Sequence, residues 1–396
     1  MVESKPHKDS MVWMSGSYTV KDLLLKRAIV REGFSTLTHT TIEFQSKNKA
    51  VKLEDLLGRT MNLHVIADDA RERKFSGLCV SVENLGFRDG YGHYVAEVRP
   101  WAWLLTRTQD NRIFQEKSAV EIIKEIFSDH GFSDFTDKLS DSYEKRGYCV
   151  QYRETDFDFV SRLMQEEGIF YYFEHQESEH TMVLGDSTSA YTDCKESKVK
   201  INVGSDMDNK AKILSWHREM SYHTGTFEMS DYNHNTPKNF YKQTLATKHK
   251  FAQSPSEKTV QEFSEFIYKS GKEADHDFDV ASNKRMNGVQ LESLEAGHDI
   301  AKGSGYAGSF FPGGRFTLEH HLKSECDTYV ITRIQHSAHN KNDQNAEYRN
   351  NFTCIPSTVV YRTPITETKK QMRGPLTAKV VELNSSASKA TADPHR

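Results

Sequence analysis

The densest collection of chemically capable side chains lies between residues 156 and 167, where Asp156, Asp158, Glu166 and Glu167 place four carboxylates in 12 positions. Paired carboxylates serve glycoside hydrolysis, one donating a proton while the other attacks or stabilises. Their setting gives them a different reading. Thr155 and Asp158 have the S/T-x-x-D/E spacing of a capping box, in which side chains satisfy the orphan amides of a helix start. Phe159, Val160, Leu163 and Met164 follow at helical spacing, and Gly168 tolerates the left-handed conformation that closes a helix. Asp156 and Asp158 then occupy a first turn, where the helix dipole favours negative charge, and Glu166 and Glu167 are expected in a solvated last turn.

Other candidates are weighed in the same way. Gly303, Gly305 and Gly308 in GSGYAG satisfy G-x-G-x-x-G, but SFFPGG follows, and Pro312 with two further glycines forbids the helix that cradles a pyrophosphate. A loop between barrel strands is expected there instead. His320-His321, His336 with His339, and Asp275-His276-Asp277 are the histidine groupings that invite a metal. None has the H-E-x-x-H spacing, and in a strand His336 and His339 point to opposite faces. There is no G-x-S-x-G elbow, and no cysteine lies in a catalytic context. Trp101 and Trp103 are expected to share one face of a strand as core or edge aromatics. No catalytic, cofactor-binding or metal-binding residue is assigned, no cofactor is expected, and the chain is not read as an enzyme. A glycan or cell-wall hydrolase is the less favoured alternative, resting on scattered carboxylates alone.

The elements around these residues define the organisation. Strand signals dominate residues 15–105, in runs such as TLTHTTIEFQ and HYVAEVRP separated by Gly, Asp and Asn. Residues 106–195 change character: SAVEIIKEIF is an amphipathic helix with a Ser118/Glu121 capping box and Gly131 at its end, followed by the carboxylate-bearing helix, the aromatic strand IFYYFEH and the strand TMVLGD. Strand texture returns over 211–232, a Thr259/Glu262 capping box predicts a helix over 259–270, and 286–362 is again strand-rich. The two strand-rich regions echo each other. Gly58-Arg59 leads through FSGLCVSV to Pro100, and Gly314-Arg315 leads through TYVITRIQ to Pro356, both spans being 42 positions long.

The expected fold is α+β and predominantly β: two related β-barrels with an inserted α/β subdomain. Residues 12–105 plus 205–235 are assigned to the first barrel, 106–195 to the insertion, and 240–372 to the second barrel. Residues 373–396 are a linker and a tail expected to be disordered, since NSSASKATADPHR from Asn384 offers nothing to build a core.

Bulk properties narrow the partners. The chain has 396 residues, enough for several cores, and 52 basic against 56 acidic residues give a net charge of only -4. No polybasic run is present to neutralise a phosphate backbone, so nucleic acid is not an expected partner. The 22 Phe, 17 Tyr and 4 Trp suit half-buried strands. Cys79, Cys149, Cys194, Cys326 and Cys354 are odd in number and widely spaced, which suits a reducing compartment. MVESKPHKDSMVWMSGS has no apolar signal region, and no stretch is apolar enough to span a membrane. Synthesis in the cytosol is expected, with any export independent of the general secretory route.

The stretch YCVQYRETDFDFVSRLMQEEGIFYYFEH, together with FSGLCVSVENLG, RPWAWLLTRTQDNRIFQEKS, PGGRFTL and RGPLTAKVV, resembles VgrG proteins, the spikes of bacterial type VI secretion systems, which are similar to contractile-phage tail hubs. The resemblance runs from about residue 15 to 381. It implies a phage tail-hub-like fold and a structural base for the spike, a trimeric hub adapting a threefold spike to a sixfold Hcp-like tube and secreted with it. It implies as partners a second and third copy of the chain in a homotrimer, weak in this form, an Hcp-like hexameric tube protein and baseplate proteins. Effectors would be carried through the C-terminal OB barrel and β-helix that full VgrG proteins have and these residues do not include. It further implies residence in the bacterial cytoplasm during assembly, then passage through the type VI apparatus. A contractile-phage or prophage baseplate hub is the alternative within the same fold.

Overall fold

Alternation of side-chain burial explains most of the architecture. In HYVAEVR the residues Tyr94, Ala96 and Val98 are buried while their neighbours are not, the period of a strand with one face on a core. The computed structural model describes residues 2–4, 11–66, 72–176, 179–202, 211–232, 240–249, 259–263, 280–342, 345–366 and 370. The first strands are β1 (Val2–Ser4), β2 (Val12–Gly16), β3 (Leu23–Gly33), β4 (Thr36–Ser46), β5 (Thr60–Ile66), β6 (Glu72–Arg88) and β7 (Tyr91–Arg99). Strands β2, β5, β6, β7, β4 and β3 are hydrogen-bonded in that order and wrap a core that includes Met14, Leu25, Val30, Phe44, Leu63 and Phe75.

The insertion follows. It comprises β8 (Gln109–Ser118), α1 (Ala119–Asp129), β9 (Phe135–Lys138), β10 (Lys145–Thr155), α2 (Asp156–Glu167), β11 (Phe170–His175) and β12 (His180–Gly185). Strands β8 and β10 pair antiparallel, while β12 runs antiparallel to β11 and parallel to β9. Ile122, Ile126 and Phe127 of α1 meet Phe159, Val160 and Leu163 of α2, Tyr171 and Phe173 of β11, and Leu184 of β12 in one buried cluster. Both caps form. Ser118 and Glu121 close a reciprocal capping box, the Thr155 hydroxyl accepts from the Asp158 amide at 3.0 Å, and Gly168 ends α2 with φ at 72°. A Cβ at Gly168 would lie 2.8 Å from the Val289 methyls, so this glycine is required by contact as well as by backbone conformation.

The remaining elements are β13 (Thr192–Ile201), β14 (Ala211–Met220), β15 (Thr226–Tyr232), β16 (Phe240–Ala246), β17 (Thr259–Phe263), α3 (Val280–Glu295), β18 (Asp299–Gly305), β19 (Gly314–Glu319), β20 (Thr328–Asn342) and β21 (Asn345–Pro356). The order β20-β19-β13-β14-β18-β21 is closed by pairing of β21 with β20, giving a six-stranded barrel around Phe310, Phe316, Tyr329, Ile331 and Phe352. β3 pairs with β20, so the two six-stranded units share one continuous sheet. The echo in the sequence falls on corresponding elements. The shift that carries Gly58 onto Gly314 lays the meander β5-β6-β7 on the meander β19-β20-β21.

Several local expectations are corrected. Within 205–235, β14 is bonded to β13 and β18 in the closed barrel, and β15 joins β16 and β17 in a separate three-stranded sheet, so neither lies with the first barrel. An alternating pattern shows which face is apolar but not which distant edge completes the strand. Residues 259–263, expected to open a helix, run as β17 parallel to β15, where a free strand edge overrides a short cap-like pattern; 264–270 lie outside the described residues, as does the tail from 371. Residues 101–107 form a 3-10 helix after Pro100 rather than a strand, with Trp101 packed on Phe127 and Phe132. Gly303 and Gly305 lie inside β18 rather than in a loop. A Cβ there would meet the Phe352 ring at 2.4 Å and the Lys212 carbonyl oxygen at 2.1 Å, so these glycines permit close approach within the barrel.

Candidate functional site

Where the two six-stranded units and the insertion meet, one carboxylate is held by three elements. Glu32 comes from β3 and is 2 % exposed. Arg73 of β6 donates to Glu32 Oε2 at 2.7 Å and reaches across to the carbonyl of Phe310 in the second unit. His336 of β20 donates from Nε2 to Glu32 Oε2 at 3.0 Å, and its Nδ1 lies 2.7 Å from the Tyr348 hydroxyl, which donates to it. His175 of β11 places Nε2 at 3.3 Å from Glu32 Oε1, while its Nδ1 accepts from the Ser76 amide. Each imidazole therefore carries its proton on the nitrogen facing the carboxylate, and the cluster is consistent with neutral histidines around one arginine–glutamate pair.

Burial and these partners set the protonation states. Desolvation opposes the Glu32 charge, but Arg73 and the two histidines outweigh it and hold the carboxyl well below the usual range. Desolvation is the main cause that brings His336 down to about 4 from an ordinary 6.5, with the Arg73 charge second. His180, which accepts the Trp101 amide at 2.8 Å, falls to about 3, again chiefly through burial. Stability then depends on pH with a defined sign. Above about 6.5 these histidines are neutral in both states; as pH falls towards 4, the unfolded chain takes up protons that the native one refuses. Lowering pH from 7.5 to 5 should cost about 2 kcal/mol per buried histidine, read as a fall in the urea midpoint. A midpoint that is unchanged or higher at pH 5 would contradict this assignment.

A cavity of about 420 Å³ opens beside the joint, lined by Glu72, Arg73 and Lys74 of β6, Glu174 and His175 of β11, and Phe311. Its lining is drawn from all three parts of the chain and mixes acids with bases.

A second buried network runs through the insertion. Arg162 pairs with Glu154 at 2.7 Å and with Glu166 at 3.0 Å; Arg146 pairs with Glu166 and Glu167, each at 2.5 Å; and Glu167 is met from α3 by Arg285. Glu166 and Glu167 are each 2 % exposed, so the expectation of a solvated last turn is wrong. The reason is the arginines, which arrive from β10, α2 and α3 and replace water around the carboxylates. Asp156 is equally buried, bonded by Thr108, Arg112, Gln151 and His130. Each of these carboxylates is thus neutralised by cations or saturated by donors, an arrangement that fixes elements together and does not poise a proton for transfer.

Among the other residues singled out in the sequence, His336 is buried at the joint and His339 faces outward, so the two do share no face. His320 and His321 stack on each other near the surface. Asp275, His276 and Asp277 lie outside the described residues. All five cysteines are free, with only Cys326 exposed. No helix among the described residues is long and apolar enough to cross a membrane. Sequence reasoning missed Glu32, Arg73 and His175 entirely. Each sits in a strand beside another charged residue, and a charge in register with the core-facing Ala28 and Val30 is the one signal that could have marked Glu32.

The architecture matches known proteins. Residues 31–342 match the family described as phage tail baseplate hub (GPD). Type VI secretion system spike protein VgrG1b of Pseudomonas aeruginosa is 30% identical over 370 residues, covering 91% of this chain and 48% of that protein. VgrG1a of the same organism is 44% identical over 169 residues, 43% of this chain and 26% of the relative. The chain therefore spans about half the length, or less, of the curated relatives it matches. Among solved structures, the E. coli c3393 protein, a component of the type VI secretion system, aligns with a TM-score of 0.67 at 19% identity, covering 91% of this chain and 81% of that one. The tail protein of Neisseria meningitidis MC58 aligns with a TM-score of 0.62 at 11% identity, over 88% and 99%.

Proposed function

The chain belongs to the phage tail baseplate hub family, and from that premise we propose that it is the base of a type VI secretion spike, adapting a threefold spike to a sixfold tube. The observation that carries this reading is the pairing of two six-stranded units in one chain, joined edge to edge through β3 and β20. Three such chains around an axis offer six similar six-stranded units, and a ring of six can seat on a hexameric tube protein of the Hcp kind. Work of this sort is geometric. It asks for rigid units at fixed spacing, which the buried ion pairs at the joint and in the insertion support. In this reading the hub assembles in the bacterial cytoplasm beside other baseplate proteins and leaves with the tube.

The family is named for phage hubs, which favours a second reading as a contractile-phage or prophage baseplate hub with the same geometry. The identity of the tube protein that co-purifies separates the two. Oligomerisation tests what both share. Light scattering should give a mass that rises with concentration towards three chains, and towards a larger complex when the hexameric tube protein is added. A chain that stays monomeric at high concentration, with and without that protein, would overturn the hub reading.

A further inference from the structure

Three histidines from separate segments converge between the closed barrel and the small sheet β15-β16-β17. His223 lies in the turn after β14, His249 just beyond β16, and His298 just beyond α3. Their ring centroids are 5.2, 4.9 and 4.4 Å apart, and one nitrogen from each lies within 4.8 Å of the other two. Ligands on a tetrahedral zinc, at about 2.0–2.1 Å each, are roughly 3.3 Å apart, so a movement of about an ångström would close the set.

Two of the rings are held in the tautomer a metal needs. His223 Nδ1 lies 2.7 Å from the carbonyl of Thr224, and His298 Nδ1 lies 2.6 Å from the carbonyl of Ser221. A carbonyl oxygen only accepts, so each Nδ1 carries the proton and each Nε2 keeps its lone pair. This is the outer-shell arrangement that orients metal-binding imidazoles. The backbone fixes the same segments: the Ser221 amide donates to the His298 carbonyl, the Thr247 amide to the Gly225 carbonyl, and the His249 amide to the Thr247 hydroxyl. A carboxylate stands beside one of these rings, outside the group of three nitrogens. Glu295, in the last turn of α3, brings Oε2 to 3.6 Å from His249 Nε2, and its Oε1 is buried with no hydrogen-bond partner among the described residues.

We propose that His223, His249, His298 and Glu295 form a structural zinc site that ties the turn after β14, the end of β16 and the end of α3 together. Three imidazoles and one carboxylate suit this borderline ion. The set has too few oxygens for calcium or magnesium, and it lacks the thiolates that would select copper(I) or an iron–sulfur cluster. Four protein ligands leave no open position, so the ion's role is to hold the small sheet and α3 against the closed barrel.

The test uses the full chain without a histidine tag, stripped with a chelator and then titrated with zinc against a chromophoric competitor, and separately with cobalt(II). One zinc per chain is expected, with a rise in Tm and the absorption bands of tetrahedral cobalt. His249→Ala and His298→Ala should each weaken zinc binding roughly tenfold or more, whereas the double variant His320→Ala/His321→Ala should bind as the parent does. Far-UV circular dichroism establishes that each variant is folded. Glu295→Gln, the mildest change, should alter the cobalt spectrum even if the histidine variants fail to fold. Failure of the parent to retain zinc, undiminished binding by folded His298→Ala, or a cobalt spectrum unmoved by Glu295→Gln would each overturn the proposal. None of these results depends on oligomerisation, so the zinc site and the hub reading stand or fall separately.

Discussion

Glu32→Ala should lower the unfolding free energy by about 3–5 kcal/mol, the range for breaking a buried ion pair by removing one partner. The loss would exceed that of a lone hydrogen bond because Arg73 and His336 both donate to this carboxylate and His175 approaches it at 3.3 Å. Without it, the buried His336 and the largely buried Arg73, which borders the cavity, lose their counter-charge. The damage should also have an address. Glu32 sits on the strand that pairs with β20, so amide hydrogen exchange should accelerate first along β3 and β20, ahead of the first barrel's far strands. Urea unfolding with mass-spectrometric exchange reads both effects. A loss under about 1 kcal/mol, or acceleration spread evenly over the chain, would show that the joint does not hold the units together.

Arg146→Met should have a comparable effect confined to the insertion, costing about 3–5 kcal/mol. The arginine stands between Glu166 and Glu167, at 8 % side-chain exposure against 2 % for each acid, and its removal sets two buried carboxylates side by side with one cation fewer between them. Adding Glu166→Gln should recover part of the loss, because the amide keeps the shape without the charge. If the double variant is no more stable than Arg146→Met alone, the arginine contributes through its packing and not through its charge. Denaturation followed by fluorescence in a Trp13→Phe/Trp216→Phe background, which leaves only Trp101 and Trp103 at the border of the insertion, would separate this local event from unfolding of the barrels.

What the residues disclosed and what they concealed divides along the range of the interactions. The two helices of the insertion were legible because Ser118, Thr155 and Gly168 act on neighbours within a few positions, and so were the meanders, whose strands pair with the next strand in the chain. The placement of β14 was not legible, since besides the preceding strand β13 it bonds to β18, far along the chain, and nothing in AKILSWHREM distinguishes that edge from another. The strand at 259–263 was misread for the same reason, a local cap pattern having been outweighed by pairing with β15. The charges failed most instructively. Glu166 and Glu167 beside a closing glycine look like a wet helix end, and only Arg162, one turn before Glu166, hinted otherwise; Arg146 and Arg285 are 20 and 118 positions from the acids they meet.

The contact between β3 and β20 has a consequence for how the hub bears load. Seven successive residue pairs, from Arg27 with His339 to Gly33 with Arg333, run antiparallel along one line, and the chain itself passes from one unit to the other only by way of the insertion. A push along the strand axes would shear all seven pairs at once, whereas a pull across them would open the seam one pair at a time. The joint is therefore stiff in one direction and weak in another, and a spike seated so that thrust follows the strands would be driven as one body.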